Sequence, residues 1–563
     1  MAVQETVRPK AASPGDNNTK FFGSQIGGKS AINYSYTDMP WRLMAYDVYY
    51  FFKHFWAIPF IVWPLSPADS GELSELSFTS KNMYAVAVHV VLVILQLGFI
   101  AALPSLVTVP VWTAVAAITL FMSVNRVLAN LLNGDRVEYS SDEKYAPALP
   151  EHAHEQWIYI NGVAAGEHWM KSNLNRLAVT FKRPILGIHN KTAGILFDVI
   201  ECLIQRNLGY ATTDVRVCYS IIKKKLYNPQ YSKVIFILHS QGGIQGSLIL
   251  DWLLQELPQD LLTKLEIYTF GNAANHFNNP HRHFYSQSLA KRNPLAASVD
   301  SAQLAPADQP PAAPHLRHQP RRDPVFSPTS TSSDSASDKE HAKSGNSSSN
   351  NNNNNNSVPA ITSSTTSPHP SALSDRAIGH IEHYAHTTDF VSLWGVLHFA
   401  TSVPSSSTIP RFMGRVFART SPRGGHQLVQ HYLDGMFPLR RDPQTGELVM
   451  SDVERGVPWG AEEEWNEFME SEVLLGGVGD RERDGEGDGE SGSGSEEVEV
   501  IGMGLMKGGK DFIKGQEREE MVNVKVKVKE LSRLWQYRNG RSPEDKPPLL
   551  VRGGDGVVRN ATM

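Results

Sequence analysis

The chain has 563 residues, with 58 acidic against 53 basic side chains and a formal charge of −5. That balance, with no sustained Lys/Arg stripe, argues against a nucleic-acid partner. Cys202 and Cys218 are the only cysteines, so no disulfide framework beyond one bridge is possible, which fits a reducing compartment.

Residues 1–40 are polar and lack an apolar run, so they are expected to be disordered and to carry no secretory signal. Region 41–135 reads as membrane-associated. Tyr46–Pro64 (YDVYYFFKHFWAIPFIVWP) concentrates aromatic rings, as membrane interfaces and buried core helices both do. Tyr84–Leu103 and Val107–Val124 are uncharged runs of 20 and 18 residues on either side of Pro104 and Ser105. Each is close to the roughly 20 residues that cross a bilayer core. Together they predict a helical hairpin over 84–124, as two tilted spans or one re-entrant loop, entering and leaving on one side. Two central helices of a soluble core are the alternative. Arg42, Lys53 and Lys81 precede the hairpin and Arg126, Arg136 and Lys144 follow it, which places both ends in the cytosol. The expected location is a membrane, endoplasmic reticulum or lipid droplet, with the rest of the chain facing the cytosol.

From residue 156 short apolar strands alternate with helical stretches, the pattern of an α/β fold with a mostly parallel sheet flanked by helices. WIYING, PILGIHN, VIFILHS and KLEIYTFGNAA read as strands. HWMKSNLNRLAVTF, ILFDVIECLIQRNL, VRVCYSIIKKKLYN and GGIQGSLILDWLLQEL read as helices. This domain spans 156–437, interrupted over 284–374 by a Ser-, Pro- and Asn-rich insert predicted to be disordered, with the run Asn350–Asn356 inside it. Strand and helix signals resume in HIEHYAHTTDFV, RFMGRVFAR and HQLVQHYLDGMF. Residues 438–563 read as an acidic low-complexity tail carrying one short strand and helix, VNVKVKVK and LSRLWQYRN.

The segment VIFILHSQGGIQGSLIL places Ser240 between a buried strand and a helix, where a tight turn lifts a hydroxyl above the sheet edge. A serine hydroxyl needs a histidine to accept its proton and a carboxylate to orient the imidazole. Asp389 ends a strand-like stretch and is the candidate acid; a plain turn aspartate is the alternative. Among His398, His426 and His431, only His426 follows a strand through the link TSPRGG, so it is the candidate base. Gln241, next after the nucleophile, supplies the first oxyanion donor. The loop Asn161–Gly162–Val163 after WIYI supplies the second, with Val163 N–H the choice. Leu238 stands where the Gly-x-Ser-x-Gly pattern has a small residue. His380, His383 and His386 are not spaced for a metal, and Gly242-Gly243-x-x-Gly246 lacks the Lys of a phosphate loop. No cofactor or metal is expected.

The strand, elbow and DFV turn resemble the serine lipases and esterases of the α/β-hydrolase superfamily. YTFGNAANHF is similar to the TFG-containing strand of fungal class 3 lipases, and the whole chain resembles a group of fungal hydrolase-like proteins. The resemblance covers about residues 156–437 less the insert. It implies a hydrolase-like fold, triad roles for Ser240, Asp389 and His426, and a membrane lipid or acyl-ester substrate. The expected activity is serine hydrolysis at a membrane. The alternative is a catalytically inactive membrane scaffold that recruits protein partners through the insert and tail.

Overall fold

The computed structural model describes residues 19–26, 39–65, 69–292, 304–305, 375–401, 412–440, 460–461, 466–475, 524–543, 550–552 and 558–560. The run Asn350–Asn356 and the acidic Gly-rich stretch of the tail, both expected to be disordered, lie outside them.

Thr19–Phe22 is strand β1. Pro40–Lys53 is helix α1, with proline at its first turn, and a 3-10 stretch follows at Phe55–Ile61. Ser80–Ala102 (α2) and Val111–Asn130 (α3) are the two long apolar helices, joined through Leu103–Thr108. Both are long and apolar enough to cross a membrane. Glu138–Ser140 (β2), Glu155–Ile160 (β3), Glu167–Phe181 (α4), Ile185–Ile188 (β4) and Ile195–Leu208 (α5) come next. Thr213–Tyr227 (α6), Lys233–His239 (β5), Gln241–Glu256 (α7), Gln259–Leu262 (α8) and Leu265–Phe270 (β6) complete the regular alternation.

After Phe284–Arg292 (α9) and the described pair Leu304–Ala305, the chain is described again from residue 375 and forms His380–His386 (β7), Phe390–Trp394 (α10), Val396–Thr401 (α11) and Arg415–Arg419 (β8). A π-helical turn, Leu428–Leu433, precedes Glu472–Leu475 (β9) and Val524–Lys527 (β10), which pair with each other.

One eight-stranded sheet runs in the order β1-β8-β7-β6-β5-β3-β4-β2. β1 and β2 are antiparallel edge strands, on β8 and β4 respectively, and the six strands between are parallel. β5 reads as an unbroken apolar run because both its faces are covered: Val234 to Leu238 are at most 1% exposed. Two apolar cores, one on each face, hold the flanking helices. The chain moves outward from β3 to β4 and then returns to β5 on the other side of β3. That reversal puts the switch point of the sheet at the carboxyl ends of β3 and β5, the usual position of a site in an open parallel sheet.

Three expectations change. Within residues 1–40, Thr19–Phe22 is a sheet edge, because its backbone pairs with β8 and Phe21 packs on Phe417 at 5.3 Å. Within the insert, Phe284–Arg292 is helical and its Ser286, Gln287 and Ala290 are buried. The domain does not end at residue 437. Phe468, Met469, Val473, Val526, Leu534, Trp535 and Tyr537 belong to the same core as β3, β5 and β6. A local reading of charge and Gly content could not see partners so distant in the chain.

Just before α2, Glu75 is 3% exposed, accepts the Val429 N–H at 3.0 Å and has no partner on Oε2 among the described residues. Burial pushes its pKa up from 4.5 to about 7. The folded protein therefore keeps a proton that the unfolded chain has released above pH 4.5, so stability falls as pH rises from 4.5 toward 7. Glu75→Gln is expected to remove that slope, a difference on the order of 3 kcal/mol above pH 7 at about 1.4 kcal/mol per unit. Urea midpoints measured between pH 5 and about 8 that decline equally in both proteins would contradict it.

Candidate active site

β5 ends at His239, and Ser240 turns the chain into α7 with φ 57° and ψ −120°. A non-glycine residue held at positive φ stores strain that the surroundings must enforce. Here they do: the Ser240 N–H donates to Phe270 O at 3.0 Å, and its carbonyl accepts from Gly243 and Ala273 at 2.9 and 3.2 Å. Leu238, the departure from a small residue, fits because α7 presents Gly246 to it. A Cβ built on Gly246 would stand 2.3 Å from Leu238 Cδ1. Gly246→Ala is thus expected to destabilise the protein by about 1–3 kcal/mol through overpacking. Leu238→Ala in the same chain should recover part of that loss in a denaturant titration; no recovery would show that the two do not compete for this space.

The structure brings Ser240, His426 and Asp389 together. Ser240 Oγ donates to His426 Nε2 at 2.9 Å, and His426 Nδ1 donates to Asp389 Oδ2 at 3.0 Å. His426 sits in the loop after β8, and its N–H donates to Phe60 O at 3.2 Å, so the 3-10 stretch after α1 braces the base. Asp389 caps α10, accepting the Val391 N–H at 2.8 Å. It also accepts from Ser392 Oγ at 2.8 Å and Tyr432 Oη at 2.7 Å. Burial raises the Asp389 pKa, but the charge of His426 and these donors outweigh it and hold the carboxyl at about 2. His398 instead packs on Tyr50 at 3.9 Å, and His431 Nε2 reaches Pro64 O at 3.0 Å.

Several groups around the triad escaped sequence reasoning. His239 stacks on His426 at 4.8 Å, and its Nε2 donates to the His426 carbonyl at 2.8 Å. Burial and the neighbouring imidazole lower its pKa to about 3, so it braces the base as a neutral ring. Gly271, the glycine of TFG, has φ 54°, and a Cβ there would lie 2.9 Å from both Asp389 Oδ2 and His426 Nδ1. That glycine leaves room for the acid–base pair. Tyr432 was missed because it lies on a π-helical turn, where 3.6-residue periodicity does not apply.

On the proposed oxyanion side, Gln241 begins α7 and its side chain is fixed rather than free. Asn190 Nδ2 donates to Gln241 Oε1 at 2.7 Å, and Gln241 Nε2 donates to Gln205 at 3.2 Å. The Asn161–Val163 loop crosses close above the nucleophile: a Cβ on Gly162 would be 3.1 Å from Ser240 Oγ. Val163 is half-buried there and packs against the core on the α7 face. Asn161 staples the loop to the end of β4, donating to Gly162 O at 3.0 Å and Asn190 O at 2.9 Å while accepting from Asn190 N at 2.9 Å. Ala164, at φ 62°, donates to Asp198 at 2.9 Å and accepts from His89 of α2 at 2.8 Å.

Ser240 and His426 are only 2% and 4% exposed. Among the described residues no cluster of His, Cys, Asp and Glu could hold a metal. His380, His383 and His386 are engaged separately, with Glu382, Thr269 and the His431 carbonyl. No family model, curated protein or solved structure matches the chain.

Proposed function

We propose that the chain is a membrane-attached serine hydrolase of the α/β-hydrolase type that cleaves an ester or thioester of lipid character. The observation that carries this reading is the continuous hydrogen-bond path from Ser240 through His426 to Asp389, with the nucleophile on a strained strand-to-helix elbow. The chain order of nucleophile, acid and base, after β5, β7 and β8, supports it, being the order that fold uses. So does the sheet, parallel except at its two edge strands.

In this mechanism Ser240 Oγ attacks the acyl carbon while His426 Nε2 takes its proton, and Asp389 stabilises the resulting imidazolium. The oxyanion is met by the Gln241 N–H and by the 161–163 loop, with Val163 N–H the second donor. Collapse expels the alcohol or thiol, which recovers the proton from His426, and water repeats the sequence to release the acid. The lipid character of the substrate rests on location: α2 and α3 are long and apolar enough to cross a membrane, and helices inserted there would hold the site where amphiphilic acyl compounds concentrate. We assign the catalytic face to the cytosol, at the endoplasmic reticulum or a lipid droplet, on the Lys and Arg residues that flank both ends of the hairpin.

A fluorophosphonate probe is expected to label the wild-type chain at Ser240 and to leave Ser240→Ala unlabelled. Equal labelling of the two would reject the enzymatic reading.

A further inference from the structure

Along α2, Asn82, His89 and Gln96 recur every seven residues and so share one face of an otherwise apolar helix. All three are buried, and each makes at least one contact with the α/β unit. Asn82 accepts from Trp169 Nε1 at 3.0 Å, and His89 stacks on the same ring at 5.5 Å. Gln96 donates to Ala193 O at 2.8 Å and accepts from Leu196 N at 3.2 Å, at the start of α5. On α3, Asn125 donates to the same Ala193 carbonyl at 2.9 Å, and Asn133, just after the helix, exchanges two hydrogen bonds with Thr192. The lower part of each arm is thus fastened to the catalytic unit, and Gln96 and Asn125 are themselves paired at 2.9 Å.

What projects past these anchors is short, although most of the surface of both arms is uncovered. Phe99 and Phe121 stack on each other at 3.8 Å and both meet Phe197 of α5, which marks the level where the arms leave the unit. From Phe121 back to Val111 the helix rises only about 15 Å, half of the roughly 30 Å hydrocarbon core. Beyond that level the side chains face outward all round, as Val107, Val111 and Trp112 do at 88, 79 and 73% exposure, whereas below it only the faces turned from the anchors, with Ile94 and Val127, are exposed. α5 bridges the two apolar elements of the surface. Its first turn holds α2 through Gln96, and its last turn holds α1 through Arg206 and Asn207, which both donate to Asp47. Its exposed Ile200, Ile204 and Leu208 lie between them.

We propose that the hairpin enters a single leaflet and turns back, without crossing, and that the exposed apolar side chains of α1 and α5 rest in the headgroup zone around its base. The partner is a lipid leaflet, and the inference rests on the membrane reading of α2 and α3 given above. It fixes the choice between a spanning and a re-entrant hairpin. It also places the catalytic unit flat on the lipid surface, since polar anchors spread over two turns and more of α2 cannot be lifted from the α/β unit without breaking its hydrogen bonds.

The test uses the full chain carrying Val107→Cys, with Cys202 and Cys218 changed to Ala, bound to sealed phosphatidylcholine vesicles from the outside. A membrane-impermeant maleimide is supplied either outside or enclosed in the lumen, with Glu143→Cys as the exposed control. The expected result is no labelling of the thiol at position 107 from either side, full labelling after detergent, and labelling of the control from outside only. Labelling by the enclosed reagent would overturn the single-leaflet depth while leaving membrane attachment intact. Labelling from outside in intact vesicles would overturn membrane insertion itself.

Discussion

Asp389→Asn is expected to lower kcat/KM on an activated ester by about 10⁴-fold without unfolding the protein. The wild-type carboxylate receives Ser392, Tyr432, the Val391 N–H and His426 Nδ1–H at once. An asparagine keeps the shape, and with its oxygen at Oδ2, where Ser392 and Tyr432 donate, its amide nitrogen replaces Oδ1, which also stands 3.0 Å from His426 Nδ1. Nδ1 then has to accept, the proton moves to Nε2, and the ring can no longer take the proton of Ser240. Tyr432→Phe removes one of four donors and leaves the tautomer unchanged, so its loss is expected to be about tenfold, in the range of a single hydrogen bond to a charged group. Steady-state kinetics of the two variants, with far-UV circular dichroism as the check on folding, separate the predictions. An Asp389→Asn protein retaining a tenth of the rate would remove this carboxylate from the mechanism.

The pH dependence carries a matching sign. Because the Asp389 carboxyl is held at about 2, below its ordinary 3.8, it stays ionised in any ordinary assay. Its contribution to stability is present above 3.8 and is lost as pH falls toward 2.

The parts of this molecule that could be read from sequence are those in which neighbours along the chain are also neighbours in space. β5, the Ser240 turn and α7 are one continuous segment, and a buried parallel strand advertises itself as an apolar run. The positions of Asp389 and His426 followed from the ends of later strands. What stayed hidden was pairing across distance. Gly271 looks like any turn glycine until the acid and base, delivered 118 and 155 positions later by residue number, fill the space beside it. The seven-residue recurrence of Asn82, His89 and Gln96 stands in plain view, yet its partners lie on α4, at the start of α5 and in the loops after β3 and β4, so it passes for ordinary tolerance of polar residues in a long helix. The same holds for the tail, where charge and glycine content dominate the average and conceal a short segment that completes the core.

That segment carries the second large expected effect. Glu266 on β6 and Glu382 on β7 sit on adjacent strands, 5% and 0% exposed, in the middle of the sheet. Burial alone would raise both carboxyls. Arg533, with its Nε and Nη2 donating to Glu266 at 3.0 and 2.9 Å, pulls Glu266 below its ordinary value. Glu382 is likewise held at about 2, by His380, Arg415 and the Tyr384 hydroxyl, and accepts the backbone N–H of Arg533 at 2.8 Å.

Arg533→Met leaves Glu266 buried without its cation, and removing one partner of such a pair costs about 3–5 kcal/mol. Arg533→Met combined with Glu266→Gln removes the stranded charge as well, so it should recover a large share of that loss, as double-mutant analysis of a direct contact requires. Chemical denaturation of the single and double variants measures both numbers. Strictly additive losses would mean that the tail is only resting on the sheet. Coupling would mean that it belongs to the domain, and because β7 also delivers Asp389, labelling of Ser240 by a fluorophosphonate should weaken in the single variant and return in the double.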